Sequence, residues 1–325
     1  MGRVLSAAIA MLVSTAGFPQ SDDWGEQMAE GAAAEAAGDY PRAASLYRIA
    51  TEIAERFELQ DKRRALAWNA TAMMYDTIGQ YAEAGAAYRR ALKEAAESTG
   101  KTGPEYALVL ANMGAWYVET GQAAAGEELV RKSLKIYLAL DPRDEFRIAA
   151  TQNGLGEILC LMHKWTEAGQ ILSRSLAVLE KIPAAWGETA LARNSLGVVR
   201  FMEGNHEEAR RLIVQGLAMM EQHLVPDHPM LIRFLSNLAS LENRTGHSEQ
   251  ANRFLIRAVD IAKARLGLEH PTYALLLTNY AAMLRQSGDK SGAKAIEAQS
   301  TQILTDLRRR NGLGSVVDVS SLRRQ

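Results

Sequence analysis

The stretch NLASLENRTGHSEQANRFLIRA, residues 237–258, sets how the rest of the chain is read. Ala239 is followed seven residues later by Gly246, and then Ala251, Leu255 and Ala258 come at intervals of five, four and three. Intervals of three, four and seven place residues on one face of a helix, and a glycine between two such runs interrupts them. The stretch is therefore predicted to be a helix, a tight turn and a second, antiparallel helix. Small residues on the facing stripes let the two axes approach closely. The same plan recurs outward in both directions, with turn glycines at Gly38, Gly79, Gly121, Gly204, Gly246 and Gly288 and with His163 in the remaining slot. The spacings are 41, 42, 42, 41, 42 and 42 residues, a register that predicts seven copies of one helical hairpin. Such an array grows by stacking rather than around a single core, so 325 residues need not divide into two domains of roughly 150.

Composition narrows the function classes. Hydrophobic residues make up 47% of the chain, enough for a packed interior, and no run of about 20 apolar residues is present to span a bilayer. Lys and Arg number 37 against 38 Asp and Glu, so the balance lacks the basic footprint of a general nucleic-acid binder. Cys160 is the lone cysteine and excludes an intramolecular disulfide or a cysteine-based zinc site. Met1-Gly2-Arg3, the apolar run Val4 to Val13 and the small residues Ser14 to Gly17 have the order of a secretory signal peptide, with cleavage expected after Ala16. The expected organisation is a signal and leader over 1–20, the repeat array over 21–310 and a tail over 311–325. A periplasmic or secreted protein follows from the leader; a frayed Ala-rich helix in a cytoplasmic protein is the alternative.

Two boundary motifs sharpen the reading. Leu266-Gly267-Leu268-Glu269-His270-Pro271-Thr272-Tyr273-Ala274 precedes Asn279-Tyr280-Ala281, and Asp227-His228-Pro229 precedes Asn237-Leu238-Ala239. With the period of 42 and the small, glycine and alanine pattern, these residues resemble the tetratricopeptide repeat, in the longer subgroup of kinesin light chains and related bacterial proteins. The likeness covers about residues 24 to 310. It implies an all-α, right-handed superhelical solenoid of seven antiparallel helix pairs acting as a protein-interaction scaffold. His163 in place of the turn glycine, Gly126 in place of an alanine and Glu297 in place of an aromatic depart from the pattern. Glu297 is expected on a terminal helix whose outer face meets water. The two-carboxylate clamp of chaperone-docking relatives is disfavoured, because only Arg233 and Asn237 match its positions.

In a stacked array the residues of each first helix that are not used in packing repeat along one inner surface. Those positions hold Asn69 and Asp76, Asn153 and Glu157, then Asn194, Val198 and Phe201, and finally Arg233, Asn237, Arg244 and Arg285. They are the candidate peptide-binding residues. Acids lie in the early units, arginines in the last, and an apolar patch around Phe201 between them. Asparagine recurs ten residues before the anchor (Asn69, Asn153, Asn194) and nine before it (Asn112, Asn237, Asn279). Side-chain amides both donate and accept, so such a ladder suits the main chain of an extended peptide. Bonds to the adjoining unit are the competing role, favoured for the second set.

Motifs for other chemistry fail on inspection. Gly100-Lys101-Thr102 lacks the opening glycine and preceding strand of a phosphate loop, and His206-Glu207-Glu208-Ala209-Arg210 lacks the second histidine of a zinc-protease helix. His163, His206 and His247 sit in turns and read as solvated, while His228 and His270 read as structural. No cofactor, no metal and no catalytic set is expected. The partner is another protein or peptide, with self-association into a homo-oligomer through terminal units or the tail as the second reading.

Overall fold

The computed structural model describes residues 22–311, and the expected leader (1–20) and most of the tail (311–325) lie outside them. Fourteen α-helices fill the described residues. They are α1 (Asp23–Ala36), α2 (Tyr40–Ala54), α3 (Lys62–Thr77), α4 (Tyr81–Ser98), α5 (Pro104–Glu119), α6 (Ala123–Ala139), α7 (Glu145–Leu161), α8 (Trp165–Leu179), α9 (Trp186–Met202), α10 (His206–His223), α11 (Leu231–Arg244), α12 (Ser248–Ile261), α13 (Pro271–Gln286) and α14 (Lys290–Asn311). Odd-numbered helices are the first of each unit and even-numbered ones the second. A 3₁₀ turn at Pro183–Ala185 and a π-helical turn at Ala262–Leu266 occupy two of the unit boundaries. The chain divides into two compact bodies, 22–188 and 189–311 in described residues, with the division inside α9.

Each first helix is joined to its second by three residues, and the anchor is the middle of that turn. Gly38, Gly79, Gly121, Gly204, Gly246 and Gly288 have φ between 74° and 95°, the left-handed region that glycine enters without a Cβ penalty. His163 takes the same turn at φ 60°, its ring edge-on to Trp165 at 5.3 Å between centroids. The turn geometry is thus imposed by the hairpin even where the residue opposes it.

Small residues do what their spacing predicts. A Cβ on Gly156 would stand 2.5 Å from Leu172 Cγ, and one on Gly197 2.6 Å from Ile213 Cγ1, so these glycines are the seats of the second helix's apolar side chains. Gly126, one of the departures, is explained by its partner. Its Cβ would lie 2.5 Å from the carbonyl oxygen of Gly114, because α5 and α6 pass closer than an alanine allows. Serine at the last small position has a further use. Ser133, Ser175 and Ser300 donate to the carbonyls of Ala107, Ala149 and Ala274 at 2.6, 2.7 and 2.7 Å, each bond spanning 26 residues and tying the second helix to the first.

Unit boundaries are held by caps and ion pairs. Pro271 opens α13 and His270 Nδ1 accepts from Thr272 N at 3.1 Å; His228 Nδ1 accepts from Met230 N at 3.1 Å. Both histidines are structural, as their place before a proline suggested. In the 22–188 body Arg64 donates to Glu94 at 2.7 and 3.1 Å and to the end carbonyls of α2, Glu55 O at 2.9 Å. Both side chains are buried, so the guanidinium closes the boundary where proline is absent.

Candidate functional site

The inner positions of the first helices divide into a buried seam and an accessible remainder. Asn69, Asn153, Asn194 and Asn237 are all buried. Asn112 Nδ2 donates to Asn69 Oδ1 at 3.1 Å and lies 3.2 Å from Met73 Sδ, and Asn237 Nδ2 donates to Asn194 Oδ1 at 3.0 Å. This corrects the expectation that the set ten before the anchor faces a ligand. That position and the one nine before the next anchor meet across the seam between consecutive first helices, so an asparagine at both makes an inter-unit amide bond. Where only one is present the amide is left over. Asn279 follows a unit with Ser236 at the matching place, and its Nδ2 has no hydrogen-bond partner among the described residues. Asn153 Oδ1 is in the same condition.

Other candidates are also interior. Val198 and Phe201 are each 3% exposed, and Phe201 packs with Ala209 and Leu241 in a small core. The expected apolar patch is therefore packing material, with Met202 alone reaching the surface at 37% exposure. Cys160 and Phe201, three residues before their anchors, are covered, whereas Asp76 at the same place is half-buried and Arg285 exposed. Glu157 and Arg233 are buried as well.

What stays within reach is ionisable. Asp76, near the end of α3, is partly exposed, while its Oδ1 is buried with no hydrogen-bond partner among the described residues. Burial pushes its pKa from 3.8 up to about 8. Tyr81 and Tyr88 are raised well above the ordinary phenol value, chiefly by burial and then by the charges of Asp76 and Glu119, which places both carboxyls around one tyrosine pair. In the other body Arg244 is exposed, its Cζ 5.1 Å from the centroid of the Phe201 ring, and it pairs with no carboxylate among the described residues. Arg285 is exposed but pairs with Glu297 at 2.6 Å. Glu297 is thus engaged by its own unit's first helix rather than left to water.

The histidines and Cys160 add no chemistry. His247 is not merely solvated: its Nδ1 lies 3.0 Å from Oε2 of buried Glu242, which also pairs with Arg210. Burial, with Glu157 nearby, pushes the Cys160 thiol up to about 12, where it is inert. Among the described residues no group of three His, Cys, Asp or Glu is placed to hold a metal ion, and no helix is long and apolar enough to cross a membrane.

With this geometry in place, the chain can be set beside known proteins. A segment of 138 residues is 28% identical to Protein KINESIN LIGHT CHAIN-RELATED 2 of Arabidopsis thaliana, a stretch that covers 42% of this chain and 20% of that protein. The solved apo form of RapI superposes with a TM-score of 0.61 at 16% identity, over 90% of this chain and all of that one. The Rap conjugation gene regulator of the plasmid pLS20, solved in complex with the Phr* peptide, gives 0.58 at 12% identity over 90% and 98%. At these identities the likeness is one of fold. The tetratricopeptide repeat model matches residues 63–139, 147–222 and 225–306, more than half of the sequence, and the chain belongs to the tetratricopeptide repeat family.

Proposed function

We propose that the chain is a non-catalytic protein-interaction scaffold, and that an extended peptide or a helix of another protein lies along the accessible edge of its first helices. The observation that carries this reading is a pair of ionisable side chains without ion partners. Asp76 and Arg244 stand at inner positions, in separate bodies, and neither makes an ion pair among the described residues. Asp76, whose buried Oδ1 is unsatisfied, keeps its proton near neutral pH and gains from a partner that bonds to it, while exposed Arg244 offers a positive charge. The Rap conjugation regulator, whose fold this chain shares, was solved with a peptide bound, which supports a peptide as the ligand class.

The asparagine seam has a different part in this reading. It sets the spacing of consecutive first helices and so the spacing of the charges they present. Self-association through the last unit has less behind it: the exposed face of α14 carries Lys294, Ala298, Gln299 and Gln302, too polar for end-to-end stacking. A periplasmic or extracellular setting rests on the order of residues 1–20 alone, and amino-terminal sequencing of the native protein checks it: Gly17 is the expected first residue, and an intact Met1 overturns the leader.

The scaffold reading is tested by screening a random peptide library against the full chain and mapping the best binder by hydrogen exchange. Protection is expected at the last turns of α3 and α5 or of α11 and α13. Protection confined to the second helices, or no binder at all, would sink it.

A further inference from the structure

Away from the first helices, the 189–311 body carries a groove of about 540 Å³ along α12. One wall is a stripe of that helix holding Arg253, Ile256, Arg257, Asp260 and Ala264, which share one face; the other is Pro226 and Asp227 of the connection between α10 and α11. Two contacts fix the separation of the walls. Arg257 donates to Pro226 O at 3.1 Å, and Arg265, in the π-helical turn that follows α12, pairs with Asp227 at 2.6 Å. Around this groove Ile256 is 41% exposed, Val225 beside Pro226 40%, and Leu268 just past the turn 51%. Large apolar side chains gathered at one open groove mark a surface that gains from being covered.

We infer that this groove is the docking site of the chain's own carboxyl-terminal segment, residues 312–325, which fills it with Val316, Val317 and Val319. Position favours that occupant. α14 ends at Asn311, and Arg310 donates to Glu269 at 2.8 Å, in the loop after the π-helical turn, so the segment leaves the last helix beside the Ala264 end of the groove. Val316 and Val319 come five and eight residues after Asn311, a reach of up to about 16 to 26 Å. So short a tether holds the segment at an effective concentration in the millimolar range, an advantage that a separate protein lacks. Charge order agrees as well. Residues 312–317 are uncharged and pass Asp260 at the entry, Asp318 then meets Arg257 and Arg253, and Arg323 and Arg324 come to exposed Glu249. Along the helix Glu249 is about 12 Å from Arg257, within the ~17 Å that the five residues from Asp318 to Arg323 can span. Arg257 and Arg253 already pair with Glu221 and Glu249, but these are exposed pairs that contribute little and can be shared. The inference goes beyond the scaffold reading and leaves the first helices open for its ligand.

The thiol introduced by Ile256→Cys tests the assignment in the full chain, because Cys160 is buried and unreactive. That thiol should react slowly with a disulfide reagent. Adding Val317→Asp and Val319→Asp should speed it about tenfold, the change expected when burial of two valines outweighs the ordering of their segment by roughly 1.4 kcal/mol. The rate should not vary with chain concentration. Leu59→Cys, exposed in the other body, should react at one rate with and without the two aspartates, and circular dichroism should show intact helices throughout. A rate at Ile256→Cys that ignores the tail substitutions overturns the inference and leaves the groove to another occupant or to water. A rate that falls as the chain is concentrated also overturns it, in favour of the tail of a second copy. Neither result bears on the scaffold reading, which the peptide screen tests separately.

Discussion

The bodies spanning 22–188 and 189–311 are built from one repeating unit, yet they leave opposite groups over. In the first, Asp76 and Glu119 crowd Tyr81 and Tyr88, and the boundary is closed by Arg64 against Glu94. In the second, Arg244 is an unpaired charge among the described residues, and the comparable buried acid, Glu242, sits with Arg210 and His247 at a turn. The seam between first helices is the same in both, an amide pair at 3.1 Å in one and 3.0 Å in the other. Shared architecture is thus carried by backbone turns, small residues and amides, and difference by a few charged positions that packing does not require.

The sharpest way to break this comparison is to remove the buried acids. Glu94→Ala strands Arg64, whose side chain is only 7% exposed, and should cost about 3–5 kcal/mol. Glu242→Ala releases Arg210, which is 30% exposed and can turn to water, so its cost should be no more than about half of that after solvent screening. Equal losses in urea denaturation would show that the two acids hold their bodies alike.

A pH series separates the bodies next. Burial raises the Glu35 carboxyl from 4.5 to about 7 against the lowering effect of the Tyr47 hydroxyl, and raises Asp76 to about 8. Both groups keep a proton in the folded body that the unfolded chain has lost, so the stability they give is complete below their unfolded values and lost as pH rises through about 7 to 8. Glu35 alone accounts for about 3 kcal/mol at the upper limit. In 189–311, Asp227 is shifted down by its hydrogen bonds from Arg265, and that contribution is lost only as pH falls below the carboxylate range. Hydrogen exchange at pH 5 and pH 8 should therefore show α1 to α3 loosening at the higher value while α10 to α12 hold; a uniform change would contradict the shifts.

Smaller effects sharpen the likeness. Asn112→Ala and Asn237→Ala should each cost about 1–2 kcal/mol, because each leaves a buried amide acceptor unpaired, and the two losses should agree within error. His163→Gly should stabilise the 22–188 body by up to about 1 kcal/mol in thermal melts, the relief of a non-glycine residue at φ 60° less glycine's added unfolded-state entropy.

The hairpins were legible because their causes are local. Six turn glycines at a fixed period require left-handed backbone, and the small residues seven before them are where a Cβ meets Leu172 or Ile213. The site was legible only as a set of positions. Whether Asn69 faces a ligand or a neighbour depends on how closely two first helices pack, which composition does not reveal. A signal was nonetheless present: Asn69 and Asn112 are 43 residues apart, as are Asn194 and Asn237, one period plus one. That offset marks a pair across a seam, while Asn153 and Asn279 lack such a mate. Phe201 was misplaced for the same reason, its cover coming from Ala209 and Leu241 rather than from its own helix.

The three-residue turn has a practical corollary. Around Gly204, Gly246 and Gly288 a side-chain atom would meet nothing within 4 Å, so these corners project away from the packed helices. A reporter sequence or a dye attachment point spliced into any of them would tag one chosen hairpin without touching its neighbours, turning the chain into a scale on which the arrival of a ligand can be read rung by rung.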